Sequence, residues 1–482
     1  MTGGATRASQ PSNPKPANHP LTSPSFSGRS PSGAGDLSVE THGIAPVGRE
    51  SRYGTPARLF TVWFAPQVNM TGVFTGTLAI LLGLGFWLGL LAMVIGTVLG
   101  ALVVAYLSTW GPRTGTAQLP TARMAFGPGV ALPAALQWLS SIAWDALVGL
   151  FGGQALALLL GIPFWVAVLI VLAVQGAVGF VGYELIHRLQ AVLTVVLFAT
   201  FVVFAVKLVT GGGHPVITPA QLTGADLVGA FVLEVTVALS LTISWASYAA
   251  DFSRYLPVDS SQARVFGYTF GGIVLAYIFV QAIGIAAAGA IGDHTAEGVR
   301  EVMGGGVLGA LALLVIALAS VGSGVMNDYS GSLALQTLGV RVRRPVSAVL
   351  VTVLALFLIL WLHSADTATR FLDVLLLIGY WIPAFVAIIV IDWVLRTRGA
   401  TDLFVDVAAA VTPRRHAVAA LVVFVLSYAA AMPFMNTSLI QGPVAAAWHG
   451  ADIAYFVNFV VAATLYGGYR IIDDRRTADR PG

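Results

Sequence analysis

From about Leu59 onward, apolar runs alternate with short polar breaks along the whole chain. Each run is roughly 20 residues, enough to cross a ~30 Å hydrocarbon layer as a helix. The pattern predicts twelve such spans, at 60–83, 86–108, 132–160, 163–183, 189–209, 226–250, 265–291, 305–338, 345–362, 369–395, 417–437 and 450–468. The third and fourth are joined only by "GIP", so length separates them. The first 55 residues differ in kind. They are rich in Ser, Pro and Gly, as in "QPSNPKPANHPLTSPSFSGRSPSGAGD", and too poor in apolar residues to build a core. Three parts are therefore expected: a disordered tail over 1–55, a membrane domain over 56–468 and a second tail over 469–482. The N-terminal stretch has no apolar h-region and does not read as a signal peptide.

Composition sharpens this reading. The chain is 57% hydrophobic and 10% charged, with a mean hydropathy of +0.84. A soluble domain carries about 25% charged residues. An all-α, polytopic membrane protein is expected. A pI near 9.2 reflects cationic loops rather than nucleic-acid binding. With no cysteine, thiol chemistry and Cys-based metal sites are excluded. With the N-terminus placed in the cytoplasm, only Lys207, Arg300 and Arg370 of the 25 Lys and Arg fall outside. By the positive-inside bias both termini are cytoplasmic.

Two spans interrupt their own helix. The first reads "TVWFAPQVNMTGVFTGTLAI", with Pro66 about two turns in and Gln67, Asn69 and Thr71 after it. Proline removes a backbone donor and disfavours helix at the residue before it. The sixth ends in "LTISWASYAADF", a dense polar insertion without proline. The two spans hold corresponding places in two five-helix halves. Paired broken helices at such places point to a transporter's site; the bland alternative is a proline kink and an interfacial aromatic belt. Other intramembrane polar residues accompany them: Trp144 and Asp145 in the third span, Glu234 in the sixth, and Asn327, Asp328 and Tyr329 in the eighth. A carboxylate at mid-membrane costs at least ~2.5–3.5 kcal/mol on insertion scales, which makes a bystander role expensive.

Three stretches carry a resemblance. "SWASYAADFSRYLP" (244–257), "GPRTGTAQLPTARMAFGPGV" (111–130) and "MNDYSGSLALQTLG" (326–339) are similar to signatures of nucleobase–cation symporter family 1, the purine, cytosine, allantoin and hydantoin permeases. The resemblance runs from about Arg58 to Gly468. It implies a LeuT-like fold, two inverted five-helix repeats plus two C-terminal helices. It also implies a planar heterocycle held between Trp144 and Trp245, its edge met by Asn327 and by a polar residue of the first span, Asn69 or its rival Gln67. An aromatic plate stacks on any base, at ~1–3 kcal/mol, and an amide then reads the edge. Asp251 and Arg254 fall at the cytoplasmic exit, where they pair as an inner gate or anchor the helix.

Two positions depart from the family. Val148 stands where relatives often place an amide. The eighth-span positions matching a sodium site are Leu318, Val321 and Gly322, none with a hydroxyl, while Ser320 and Ser323 are off register. This favours H+ over Na+ as the coupling cation, with Asp145 or Glu234 as carrier, since an intramembrane acid can carry a proton. The resulting expectation is a secondary active importer of a nucleobase or related heterocycle in the plasma membrane, not an enzyme, with no cofactor, no metal and no nucleic-acid partner, working as a monomer in the lipid bilayer. The rivals are an allantoin, hydantoin or thiamine permease of the same fold, sodium coupling, and a passive channel. No phosphate-binding loop is present: the "GGG" runs at 211–213 and 304–306 lack a following Lys-Ser/Thr.

Overall fold

The computed structural model describes residues 1–3, 43–181, 183–211, 220–291, 295–340, 344–398, 404–410 and 412–478. Within them the chain is helical throughout. The first span is two helices, α1 (Arg58–Phe64) and α2 (Met70–Leu81). After α3 (Phe86–Ser108) come two short helices, α4 (Trp110–Thr114) and α5 (Gln118–Phe126). Three long helices complete the first half: α6 (Ala131–Leu160), α7 (Phe164–Val181) and α8 (Tyr183–Thr210). The second half opens with α9 (Gly224–Ile243), which tightens into a 3-10 segment over Ser244–Phe252. It continues with α10 (Gln262–Ile291), the short α11 (Thr295–Val302), α12 (Gly306–Leu338), α13 (Arg344–Ser364) and a second broken span, α14 (Thr367–Leu377) with α15 (Ile382–Thr397). Outside the repeats lie α16 (Arg414–Ala431), the one-turn α17 (Pro443–Ala447) and α18 (Ala454–Ala478).

Every predicted span has a helical counterpart. Among the described residues eight helices are long and apolar enough to cross a membrane, and three shorter apolar helices join them. Five spans per half is an odd number, so the second half runs inverted to the first. Glycines set the closest approaches. Gly76 of α2 faces Gly284 of α10, where an added Cβ would sit 1.9 Å from the Val73 carbonyl oxygen. Gly96 of α3 lies against the Val235 carbonyl of α9. Small residues serve this purpose where lipid removes the hydrophobic drive between helices. Large apolar side chains face outward instead, such as Trp87, Val195 and Phe357, 77%, 69% and 66% exposed. Outward apolar side chains of this kind suit contact with lipid.

Four expectations are corrected. Residues 43–55 are not a loose tail. Val47 and Arg52 are buried, and Arg52 donates to the carbonyls of Val47 (3.0 Å) and Pro112 (2.7 Å). Residues 4–42 lie outside the described residues. The C-terminal boundary at 468 falls inside α18, because Arg470 turns inward to pair with Asp392. The fifth span begins at Tyr183, ahead of the expected 189. The tenth span is not one helix but opens between Leu377 and Ile382. Its carbonyls are met from other helices: Ile378 by Ser140 (3.2 Å), Leu375 by Ser240 (2.7 Å) and Tyr380 by Asn458 (2.5 Å). Those partners remove the cost of unpaired backbone at membrane depth.

Candidate functional site

The first break is built by Pro66 and Asn69. Ala65–Gln67 form a single 3-10 turn, and Asn69 is extended at φ −144°, ψ 172°. The Asn69 carboxamide then does three things. Its Oδ1 accepts from Gly72 N (2.9 Å), capping α2. Its Nδ2 donates to the Pro66 carbonyl (2.6 Å) and to Ser323 Oγ of α12 (3.0 Å). Ser323 Oγ donates to the same Pro66 carbonyl (2.6 Å). Asn69, expected to read a ligand edge, is thus engaged by the protein itself. Its rival Gln67 is buried with an Nε2 that has no partner. Ser323, expected off register, reaches the break because Asn69 and Pro66 bend toward it.

The sixth span opens without proline. Tyr248 leaves helical geometry at φ −139°, ψ 22°. Trp245 lies one turn earlier, its Nε1 donating to Tyr277 Oη of α10 (3.0 Å). The indole meets Trp63 edge-on at 5.6 Å between centroids and Tyr248 at 5.2 Å. Tyr248 Oη donates to Asn327 Oδ1 (3.3 Å), which ties this break to α12.

The third and eighth spans meet at their acids. Asn327, Asp328 and Gln175 all lie within reach of the Asp145 carboxylate, although neither of its oxygens has a partner at hydrogen-bond geometry. Gln175 of α7 donates to Asp328 Oδ2 (3.1 Å). Trp144, beside Asp145, is buried with an unpartnered indole N–H. Further links close the circle: Thr71 Oγ1 donates to the Leu147 carbonyl (3.3 Å), Ser320 Oγ to the Val148 carbonyl (2.6 Å), and Ser247 to Gln137 Oε1. The first, third, sixth and eighth spans are therefore knit around one region. It holds Trp245 and Asn327, and the elements that meet there carry buried polar atoms without a partner on Trp63, Gln67, Trp144, Asp145 and Gln175.

Glu234 stands apart. It is fully buried, and both carboxylate oxygens lack a partner. Ala230 and Ala238, one turn either side, belong to a smaller apolar cluster with Ile80, Met93 and Ile285. No hydrogen bond among the described residues joins its carboxylate to Trp245 or Asn327.

The end of the sixth span is tied down by hydrogen bonds. Asp251 Oδ1 accepts from Gln118 N (2.8 Å) and so caps α5, while Gln118 Oε1 accepts from Ala250 N (3.3 Å). Arg254 is fully buried and donates to the Gly43 carbonyl (2.7 Å) and to Tyr329 Oη of α12 (2.8 Å). Tyr53 N donates to the Tyr255 carbonyl (2.7 Å), and Arg58 pairs with Glu184 of α8 at 2.9 Å. Sequence reasoning missed Trp63, Tyr248, Tyr277 and Gln175. Trp63, three residues before Pro66 in "WFAP", and Tyr248, inside the polar insertion, carried a local signal. Tyr277 and Gln175 carried none.

Comparison with known proteins identifies the family and the fold. The family described as permease for cytosine/purines, uracil, thiamine, allantoin matches residues 46–458. The chain belongs to this family. YxlA of Bacillus subtilis, a candidate purine-cytosine permease, is 26% identical over 446 residues, covering 89% of this chain and 95% of that protein. The purine-cytosine permease fcyB of Emericella nidulans is 25% identical over 455 residues, covering 90% and 88%. Among solved structures, the nucleobase-cation-symport-1 transporter Mhp1, closed with bromovinylhydantoin bound, superposes with a TM-score of 0.70 at 19% identity, covering 91% of this chain and 97% of that one. This permease is a multi-pass membrane protein with the LeuT-like fold.

Proposed function

We propose that this permease is a secondary active importer of a nucleobase, of cytosine or purine type, or a closely related flat heterocycle, coupled to protons. The observation that carries the reading is the junction of the first, third, sixth and eighth spans, which hydrogen bonds knit together and whose Trp144, Gln67 and Asp145 keep buried polar atoms unmatched. The purine-cytosine permeases among its relatives support the substrate class. Trp144 and Trp245 are the two plates. A flat π-face stacks on each at ~1–3 kcal/mol without regard to identity. Identity is read on the edge by Asn327 and Gln67, each offering a donor pair and an acceptor. A ligand without the matching edge leaves these buried groups unpaired and is rejected.

Coupling runs through Asn327. An ionised Asp145 accepts from the Asn327 Nδ2 and withholds that donor from the ligand. A protonated Asp145 no longer needs it, and the donor turns to the substrate edge. Asp328, whose Oδ2 accepts from Gln175 Nε2 (3.1 Å), is a second carboxylate in the same stretch of α12 as Asn327. The difference in ligand affinity between the two forms is the coupling free energy. Asp251 and Arg254 form an inner gate, because Arg254 joins the sixth span to the eighth. The permease sits in the plasma membrane with both termini cytoplasmic, in line with the charge bias of its loops.

The test is competition uptake in proteoliposomes with a panel of nucleobases, ureides, hydantoin and thiamine, with an imposed pH gradient, with and without Na+. Concentrative uptake of one nucleobase in Na+-free medium supports the reading. Uptake that only equilibrates, or that requires Na+, contradicts it.

A further inference from the structure

In carriers built on broken helices, unwound carbonyls coordinate the driving cation. Here the Pro66 carbonyl of the first break meets α12, and it is already doubly engaged. Asn69 Nδ2 lies 2.6 Å and Ser323 Oγ 2.6 Å from it. The same Nδ2 reaches Ser323 Oγ at 3.0 Å. The three groups form a closed triangle, with two N–H bonds directed at two oxygens that a small cation would otherwise bridge. Both side chains are buried, Asn69 at 6% and Ser323 at 2% exposure. A second amide enters the neighbouring stretch of α12 from α8, where Gln190 Nε2 donates to the Gly322 carbonyl at 2.8 Å.

We infer that the Asn69 carboxamide is a tethered stand-in for a monovalent cation at the junction of the first and eighth spans. It supplies the partial positive charge and the cross-link that a bound Na+ would supply, and it does so permanently. The junction is held together in every step of the cycle without an ion, and the driving cation acts elsewhere. This rests on the proton-coupled reading above for its use in transport, though not for the geometry. Asn69→Asp inverts the chemistry. It keeps the oxygen that caps α2 at Gly72 N and replaces the N–H donors with a second oxygen. Pro66 O, Ser323 Oγ and a carboxylate then face one another, a donor set suited to a hard monovalent cation.

The experiment measures thermal unfolding of the purified full-length permease in NaCl against choline chloride at equal ionic strength, and uptake in the same two media. Wild type is expected to show no Na+-specific stabilisation, and Ser323→Ala is expected to stay equally indifferent. Asn69→Asp is expected to gain a saturable Na+-specific rise in Tm and an increase in ligand affinity of about tenfold with Na+. Adding Ser323→Ala to it removes that gain. A saturable Na+-specific stabilisation of wild type overturns the inference, as does an Asn69→Asp protein that unfolds cooperatively yet ignores Na+. Failure of the proton reading is seen separately, in wild-type uptake that does not follow a pH gradient. The Na+ dependence of unfolding is unaffected by that result and tests the Asn69 junction by itself.

Discussion

The two breaks occupy the same place in the two halves, yet they are made and used differently. The first is forced by Pro66 and closed by Asn69, whose amide satisfies the end of α2, the Pro66 carbonyl and Ser323 together. Nearly all its polarity is turned inward. The sixth has no proline and departs from helix only at Tyr248. Its side chains reach other helices through aromatic rings and single hydrogen bonds, from Trp245 to Tyr277 and from Tyr248 to Asn327. What distinguishes the two breaks is where their partners lie: Asn69 of the first satisfies its own helix end, its own carbonyl and one hydroxyl of α12, whereas the side chains of the sixth reach outward to α6, α10 and α12. Gln67 is the exception in the first break, since its buried Nε2 has no partner.

This contrast can be broken by substitution. The largest effect is expected at Asn327, the group on which the sixth break and Asp145 converge. Asn327→Ala leaves a buried ligand edge unpaired, at about 1–3 kcal/mol. Uptake should fall to near background, while Asn327→Asp should reorder the preferred ligands. A uniform loss across all ligands in Asn327→Asp would assign Asn327 a structural role. Next comes Trp245→Ala, expected to weaken apparent affinity by about 1–3 kcal/mol, the stacking scale, with Trp245→Phe retaining much of it. Equal uptake by Trp245→Ala and wild type at matched surface expression would remove the sixth break from recognition. The smallest effects separate the two residues of the first break. Gln67→Ala should lower ligand affinity by about 0.5–1.5 kcal/mol, one net hydrogen bond, with Tm unchanged. Asn69→Ala should do the reverse, losing a helix cap of about 1 kcal/mol and lowering Tm while the order of ligand preference stays the same. The opposite pattern would exchange their roles.

Much of this was legible along the chain, for physical reasons. Apolar runs of membrane length are a strong signal, and Pro66 and the polar cluster after Ile243 are costly in lipid unless they face protein. The break in the tenth span was not legible. "LLLIGYWIPAF" reads as one apolar helix, and the groups that allow it to open, Ser140, Ser240 and Asn458, lie on three other helices. Gly379 and Pro383 were the available local hints. The role of Ser323 was hidden in the same way: helical register predicts which face it takes, but the extended backbone at Asn69 decides what meets that face. Arg52 and Val47 were read as tail because their burial depends on Pro112 and Gly115, some 60 residues later. Trp144, Trp245 and Asn327 could be named through the family resemblance of the chain, and Asp145 from its place in an apolar helix. Tyr248 and Gln175, which orient Asn327 and Asp328, needed the fold.

The most direct test of the account is Asp145→Asn in proteoliposomes, comparing substrate exchange with accumulation driven by external acidification in Na+-free medium. The variant is isosteric and cannot release a proton. The account predicts that it still exchanges labelled substrate for unlabelled but no longer concentrates it when the outside is acidified, whereas wild type does both. Accumulation by Asp145→Asn in response to the pH step, at a rate close to wild type, would contradict the account and move the coupling proton away from Asp145.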